Sequence, residues 1–256
     1  MKTYWQNLSA CLICSLFLSS PAIGGKTKKN QKKDATNAIV KDLENHKGGD
    51  FTDLLESWQK KFGDSAIKSL TKISKNQKVE DTQRYIAIMG LSKLAGGATS
   101  SIVAPLLTDS SWLVKIGALR ALRLVSQIKQ TKLNSEQEQA VAKMMNDPAL
   151  VVRNEAVITI MTLGLRSATP ELINALKDQK NYHKGKAQWV PQKALSTLLV
   201  FEPNPATARK IASLLQRKTD QDLLKQTVST IEKMMGQKSP KGSLNVQADF
   251  WTKKLL

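Results

Sequence analysis

The stretch DPALVVRNEAVITIMTLG, residues 147–164, decides how this chain folds. It opens with an aspartate–proline turn, and Val152 and Arg153 follow. An alanine, an isoleucine and a leucine then stand four, eight and eleven positions after Val152, and Gly164 ends the stretch. Residues at these intervals share one face of an α-helix, and a final glycine is typical of a left-handed helix cap. The stretch therefore predicts an amphipathic helix that ends at Gly164.

Approximate copies of this pattern recur along the chain. They start at Gln83, Val114, Val152, Val190 and Leu224, so the starts are 31, 38, 38 and 34 residues apart. Shorter helices are predicted between them at Ser101–Leu107, Ser135–Met145, Pro170–Leu176 and Pro205–Leu215. Self-similarity at this period is the signature of a helical repeat array, in which a helix pair buries its apolar face only against its neighbours.

Residues 147–178 resemble one consensus unit of the HEAT-repeat family, especially its short bacterial form. DPALVVRNEA…LG and TPELINALKD look like the two halves of that unit. The resemblance extends over 81–236 and, loosely, over 34–80. It implies an all-α fold, a right-handed α–α superhelix of about five helix pairs, and no particular activity. Pro191 and Glu232 depart from the family pattern, and a polar last repeat is what a terminal cap requires.

The first 24 residues predict a signal peptide. Lys2 gives a positive start, Leu8–Ser20 is an apolar run of suitable length, and small residues follow it. The run is shorter than the roughly 20 residues of a membrane span. An uncleaved anchor and a lipoprotein signal at Cys11 are the alternatives. Cleavage near residues 22–25 implies a periplasmic or secreted protein that has no integral membrane span afterwards.

The remaining segments differ in composition from the repeats. Cys11 and Cys14 both precede the cleavage point, so the mature chain is predicted to have no disulfide and no thiol-based metal site. Residues 25–33 hold five lysines and no acid, which predicts a basic disordered arm. We assign 34–80 to N-terminal helices that form either a cap or a degenerate repeat. Residues 237–256 are a linker and tail helix that docks on the array or, alternatively, protrudes towards a partner or a membrane surface.

No catalytic or metal-binding motif is evident. His46 and His183 lie far apart, the carboxylates are scattered, and the chain has no phosphate-binding glycine loop, nucleophile elbow or zinc motif. The sequence therefore predicts no enzyme, no metal and no cofactor. Some short HEAT-like proteins are linked to chromophore attachment, but these act in the cytoplasm, which the signal peptide argues against.

The charge of the chain is more informative. The formal net charge is +18, and the excess lies in the arm and the repeats, because 34–80 is neutral. Such an excess predicts either a solvated exterior or a basic groove for an acidic partner. The insertion 177–189, KDQKNYHKGKAQW, interleaves aromatic residues with lysines, and insertions in repeat arrays often lie on the binding face. We expect Tyr182, His183 and Lys184 at an exposed tip.

Trp189 closes the same insertion and has two interpretations. We expect it to pack at the start of the next helix, because Val190 continues the repeat pattern. The alternative is that Trp189 and Tyr182 stack on a sugar or base while the lysines bind phosphate or carboxylate.

The resemblance adds two expectations about charged residues. Aspartates and cations of successive HEAT units tend to form a ladder, which here implies Asp109, Lys115, Asp147 and Arg153. The second helices of the family usually line the concave surface. The resemblance thus implies Lys143, Lys177, Arg209, Lys210 and Arg217 on or near the inner face. Together with the residues of the insertion, the candidate binding residues are Lys143, Lys177, Lys180, Tyr182, His183, Lys184, Lys186, Arg209, Lys210 and Arg217.

Two functions fit these observations. The first is an exported, non-catalytic scaffold or adaptor that binds a protein partner through its concave face. The alternative is a protein that binds an anionic envelope polymer or nucleic acid through a basic groove. A binding site for an anionic polymer predicts an affinity that falls steeply with salt.

Overall fold

The described part of the chain, residues 35–46 and 51–256 of a computed structural model, consists almost entirely of helices. The predicted all-α class is confirmed. The strands present in these residues are Tyr182–His183 and Lys186–Ala187, which form one small antiparallel hairpin. The predicted signal peptide, 1–24, and the predicted basic arm, 25–33, lie outside the described residues.

The α-helices are α1 (Thr36–Asn45), α2 (Thr52–Phe62), α3 (Asp64–Lys75), α4 (Asp81–Leu94), α5 (Thr99–Val103), α6 (Trp112–Lys129), α7 (Ser135–Lys143), α8 (Leu150–Leu163), α9 (Thr169–Lys177), α10 (Trp189–Phe201), α11 (Pro205–Ile211), α12 (Gln221–Met235) and α13 (Leu244–Leu255). Short 3-10 segments continue α5, α7 and α11 as far as Thr108, Asn146 and Gln216. The shorter helices predicted after each repeat copy are thus present, three of the four as mixed α and 3-10 helix.

The helices form two rows. The longer helices α4, α6, α8, α10 and α12 pack side by side in chain order, and the shorter α5, α7, α9 and α11, with their 3-10 segments, lie beside one another. Each short helix brings the chain back to the end at which the previous long helix began. The first turns of the long helices therefore lie along one edge of the array. We call this the N-terminal edge. It consists of those first turns and of the connections before them, residues 76–80, 109–111, 147–149, 178–188 and 217–220.

The core follows the repeat pattern of the sequence. The starting residues Val114, Val152, Val190 and Leu224 are completely buried. The alanines four positions after a repeat start are completely buried as well: Ala87, Ala118, Ala156 and Ala194. A small side chain at this position lets neighbouring helices approach closely, and the larger residues one and two turns later fill the shared core.

The pairing of helices differs from the expected unit. Each long helix packs closely on the short helix that precedes it, in five successive pairs from α3–α4 to α11–α12. We expected the short helix to pair with the long helix before it. The connection that opens with an aspartate, such as 147–149, therefore lies inside a pair rather than between two pairs. The hand of the superhelix stays a prediction.

Both ends of the array are closed by buried aromatic residues. Trp58 of α2 is completely buried, and its indole N–H donates to Asp42 at 2.8 Å. Trp251 and Ala248 of α13 are also completely buried against α12 and the 3-10 segment after α11. The prediction that the tail docks as a final helix is confirmed. Gly164 has φ +66°, as the predicted left-handed cap requires.

Candidate functional site

A ladder of buried polar contacts runs beneath the N-terminal edge. Both terminal nitrogens of the Arg84 guanidinium on α4 contact the carboxylate of Asp109 in the next pair. Lys115 on α6 places its ammonium 2.7 Å from Asp147 in the pair after that. The expected ladder between repeats is therefore confirmed at Lys115 and Asp147, and Arg84 extends it towards the N-terminus.

Arg153 on α8 continues the ladder with different partners. Its Nε donates to Asn181 Oδ1 at 2.8 Å, and its terminal nitrogens donate to the carbonyl oxygens of Asp147, Pro148 and Lys180. Burial lowers the pKa of Arg153, although the nearby aspartates oppose this shift. Four N–H groups of Arg153 thus hold the segment that leads into the insertion, and the residue is only 2% exposed, so its guanidinium is not accessible to a ligand.

The insertion folds into a tight hairpin. Its two turn residues, Lys184 and Gly185, have φ values of +48° and +77°. Positive φ at both central residues is the geometry of a type I′ turn, which matches the twist of the two strands. The turn lies next to Thr219, whose hydroxyl is 4.0 Å from the position that a Cβ on Gly185 would occupy. The hairpin therefore contacts the connection that precedes α12.

Side chains lock the hairpin to the 217–220 connection. The guanidinium of Arg217 lies 3.7 Å from the centre of the Tyr182 ring, and the Tyr182 hydroxyl donates to the Leu176 carbonyl. Asp220 accepts the backbone N–H of Ala187 at 2.5 Å and that of Leu223 at 3.1 Å. Burial raises the pKa of Tyr182, although Arg217 opposes the shift. In α10, Pro191 stands at the position that Lys115 holds in α6 and Arg153 holds in α8, so α10 supplies no cation to the ladder. The hydrogen bond from the Ala187 N–H to Asp220 links the pairs at this point instead.

Two expectations about the insertion are wrong. Tyr182 is half-buried under Arg217 and is not part of an exposed tip, although His183 and Lys184 are exposed. Trp189 begins α10 but does not pack there, since 54% of its side chain is exposed. Of the two rings considered for stacking, that of Tyr182 is covered by Arg217, whereas that of Trp189, which we expected to pack in the core, is exposed.

The lock brings together cations that are distant in sequence. We call them the hairpin cluster: Lys177, Lys180, Lys184, Lys186, Arg217 and Lys218. All are exposed except Arg217, which is half-buried. Lys177 and Arg217 line one groove of about 360 Å³ between α9 and the 3-10 segment after α11.

Few carboxylates neutralise the hairpin cluster. Asp220 is 4% exposed and is occupied by two backbone N–H groups. Asp178 accepts the backbone N–H of Lys180 at 2.9 Å. The one ion pair found for the cluster within the described residues joins Lys218 to Asp249 at 2.7 Å, and both side chains are about half exposed. The cluster thus presents a net positive surface.

The other predicted cations lie elsewhere along the short helices. Lys143 lines a groove of about 410 Å³ between α7 and α9, together with Glu138 and Glu171. Lys210 lines a groove of about 370 Å³ between α9 and α11, together with Arg166 and Glu202. Arg209 is exposed on α11. Carboxylates accompany Lys143 and Lys210, so among the predicted binding residues those of the hairpin cluster form the most positive group.

Sequence reasoning missed two exposed residues at the N-terminal edge. Trp112 opens α6 with 52% of its side chain exposed, and Val151 lies in the first turn of α8 with 38% exposed. Val151 stands directly before the repeat start Val152, and Trp112 stands two positions before Val114, where an apolar residue is expected to be buried. Their position in the first helical turn, ahead of the buried repeat valine, is the signal that could have separated them from the core.

Comparison of the chain with protein-family models, with curated proteins and with solved structures found no match. Within residues 35–46 and 51–256, no helix combines the length and hydropathy that a membrane span requires. The same residues contain no group of three or more histidine, aspartate or glutamate side chains arranged to hold a metal ion.

Proposed function

We propose that this chain is a non-catalytic, HEAT-like binding protein that holds an anionic ligand at the hairpin cluster. The observation that carries the proposal is the lock between the hairpin and the 217–220 connection. Residues about 30 positions apart are fixed in one cationic surface by the Arg217–Tyr182 stack and by the contact of Asp220 with Ala187. A surface fixed in advance loses less conformational entropy when a ligand binds.

The charge balance of the cluster supports an anion as the ligand. Its nearest aspartates are engaged by backbone N–H groups, so the lysine ammonium groups have few internal partners. A polymer of phosphates or carboxylates could contact several of these lysines at once and release counterions. Charge alone would give affinity without strong discrimination between anionic sequences.

A protein partner is the second candidate, and a different surface supports it. Met161 near the end of α8 and Val200 near the end of α10 are exposed apolar residues on neighbouring long helices. A scaffold that uses such residues would bind its protein partner through the row of long helices, whereas the resemblance to HEAT repeats assigns the concave face to the short helices. Export to the periplasm or the medium belongs to both candidates, and it is proposed from the first 24 residues of the sequence.

The anion-binding proposal is tested with the full chain and a fluorescein-labelled single-stranded oligonucleotide, by anisotropy, between about 50 and 200 mM salt. Four contacted phosphates predict a slope of log K against log salt of about −3. K184A/K186A should make this slope shallower by about 1.4, because two contacts are lost. The matched control is K129A/K132A, since both lysines are exposed on the opposite edge. An equal slope for both double variants would refute the proposal.

A second double variant, M161D/V200D, distinguishes the two candidate functions. M161D/V200D should release a co-purifying protein partner and leave oligonucleotide binding unchanged. If these variants instead abolish oligonucleotide binding while K184A/K186A does not, the anion site is not the hairpin cluster.

A further inference from the structure

Three exposed apolar side chains form a line along the N-terminal edge. Trp112, Val151 and Trp189 lie in the first turns of α6, α8 and α10, which pack against one another in this order. Packed helices are about 8–10 Å apart, so the line is roughly 20 Å long. Two half-exposed indoles on one edge of the helical array require an explanation, because tryptophan side chains are on average largely buried.

Cations lie at both ends of this line. Trp189 follows Lys186 of the hairpin cluster by three residues. At the other end, beyond Trp112, the exposed lysines Lys75 and Lys78 lie at the end of α3 and in the connection to α4. The exposed Glu80 and Asp81 offset their charge, so the positive end of the line is the hairpin cluster. Tryptophans with nearby lysines are typical of protein surfaces at the interface of a membrane, where the indoles lie at the headgroup level and the lysines meet anionic headgroups.

The alternative ligand, a single-stranded nucleic acid, fits the edge less well. Stacking of successive bases needs a series of free aromatic faces beside the cations. Arg217 covers the ring of Tyr182, which leaves Trp189 as the free aromatic ring next to the hairpin cluster among the described residues. Trp112 lies two long helices away. A membrane surface, in contrast, extends over the whole line of Trp112, Val151 and Trp189, which is roughly 20 Å long.

We propose that the N-terminal edge binds the surface of an anionic phospholipid bilayer. Trp112, Val151 and Trp189 enter the headgroup region, and the lysines of the hairpin cluster contact lipid phosphates. The chain then lies on the membrane as a peripheral protein. This inference rests on the proposed function, because it assigns the anion of the hairpin cluster to the lipid headgroup.

The test uses the full chain and vesicles that contain equal parts of phosphatidylglycerol and phosphatidylcholine. Binding is measured by co-sedimentation, and contact by quenching of tryptophan fluorescence with brominated lipid. W112A/W189A should weaken binding about tenfold or more, from the apolar area of two indoles, and should abolish the quenching. The matched control I128A/V200A removes exposed apolar residues at the other ends of α6 and α10 and should change neither signal.

The charge contribution is measured in the same assay. K184A/K186A should weaken vesicle binding by about 25-fold, at about fivefold for each lysine. Vesicles of phosphatidylcholine alone should bind much more weakly. Circular dichroism of every variant shows whether the fold is retained.

The outcomes separate this inference from the function on which it rests. If W112A/W189A binds anionic vesicles as the unmodified chain does, without loss of quenching, the membrane inference is refuted and anion binding stands. If K184A/K186A alters neither vesicle nor oligonucleotide binding, the proposed function itself fails. Tight oligonucleotide binding that depends on Trp189, without vesicle binding, assigns the edge to nucleic acid and also refutes the inference.

Discussion

Asp109→Asn tests whether the ladder beneath the N-terminal edge stabilises the array. The side chains of Arg84 and Asp109 are 2% and 7% exposed. The substitution keeps the shape of the side chain and an acceptor for the Ser111 N–H, which now bonds to Asp109 at 2.9 Å. It removes the charge that faces Arg84, whose other partners are Asp81 and the Ser74 carbonyl.

Removing one partner of a buried ion pair costs about 3–5 kcal/mol, because the other charge stays buried. Asp81, which is about half exposed, still compensates part of the charge of Arg84. We therefore expect the free energy of unfolding to fall by about 3 kcal/mol, the lower end of this range. For a chain of this size that corresponds to a fall of roughly 6–12 °C in the melting temperature. The assay is urea unfolding of the full chain, followed by circular dichroism.

A matched control and a double variant make this prediction refutable. Asp249→Asn breaks the exposed pair with Lys218, and it should cost no more than about 0.5 kcal/mol. R84M/D109N should cost less than the sum of the two single variants, because the charges are removed together. A cost of less than about 1 kcal/mol for Asp109→Asn, close to that of the control, would contradict the reasoning.

The same pair gives the array a pH dependence. Burial raises the pKa of Asp109, but hydrogen bonds from Arg84 and the Ser111 N–H outweigh it, so the pKa lies below its ordinary value. A lowered folded-state pKa contributes stability that is present above the unfolded value of about 3.9 and is lost as the pH falls through the folded value. The unfolding free energy should therefore fall below about pH 4. Asp109→Asn should reduce that fall, and an identical acid profile would contradict the assignment.

Three further predictions concern packing, and urea unfolding measures each of them. Gly164→Ala should cost about 1–2 kcal/mol, because its φ is +66°. The control Gly97→Ala should cost less than about 0.5 kcal/mol, because a Cβ there meets open space and the φ is not strained. Equal costs for Gly164→Ala and Gly97→Ala would contradict the left-handed cap at Gly164. Ala156→Leu should cost about 1–3 kcal/mol by overpacking a completely buried position. Trp251→Ala should cost about 3–5 kcal/mol and expose the tail to proteolysis, and a stable, resistant variant would contradict docking.

The repeat register could be predicted because one packing rule recurs in every unit. Val152 and Ala156 are buried for the same reason as Val114 and Ala118, and four related copies make the pattern visible without any knowledge of tertiary structure. The pairing of the helices could not be predicted in this way. Connections of similar length precede and follow each long helix, and the pattern alone does not say across which connection the helices pack.

The hairpin was missed because its stability is tertiary. Two residues per strand are too few for a periodic signal, and Lys184-Gly185 is a weaker turn signal than Asn-Gly. Arg217 and Asp220, which hold the hairpin, are about 30 residues away in sequence. The hairpin cluster therefore exists only after folding, although five of its six residues, all but Lys218, were among the predicted binding residues.

The exposure of Trp189 was predicted wrongly for a related reason. Its residue type favours burial, and its neighbour Val190 is completely buried. The first residue of a helix projects beyond the contacts of the array, so a position directly beside the repeat start can face solvent. The local sequence pattern shows which face of α10 is buried. It does not show how far along α10 the contacts with neighbouring helices extend.

Lysine acetylation footprinting tests the central claim most directly. The full chain is acetylated briefly with and without anionic vesicles, and in parallel with the oligonucleotide, and modification is quantified for each lysine by mass spectrometry. We predict protection of Lys177, Lys184 and Lys186, with Lys129 and Lys132 modified as in the free chain. Uniform protection, or protection of Lys129 and Lys132 with the hairpin cluster still reactive, would contradict an anion site at the N-terminal edge.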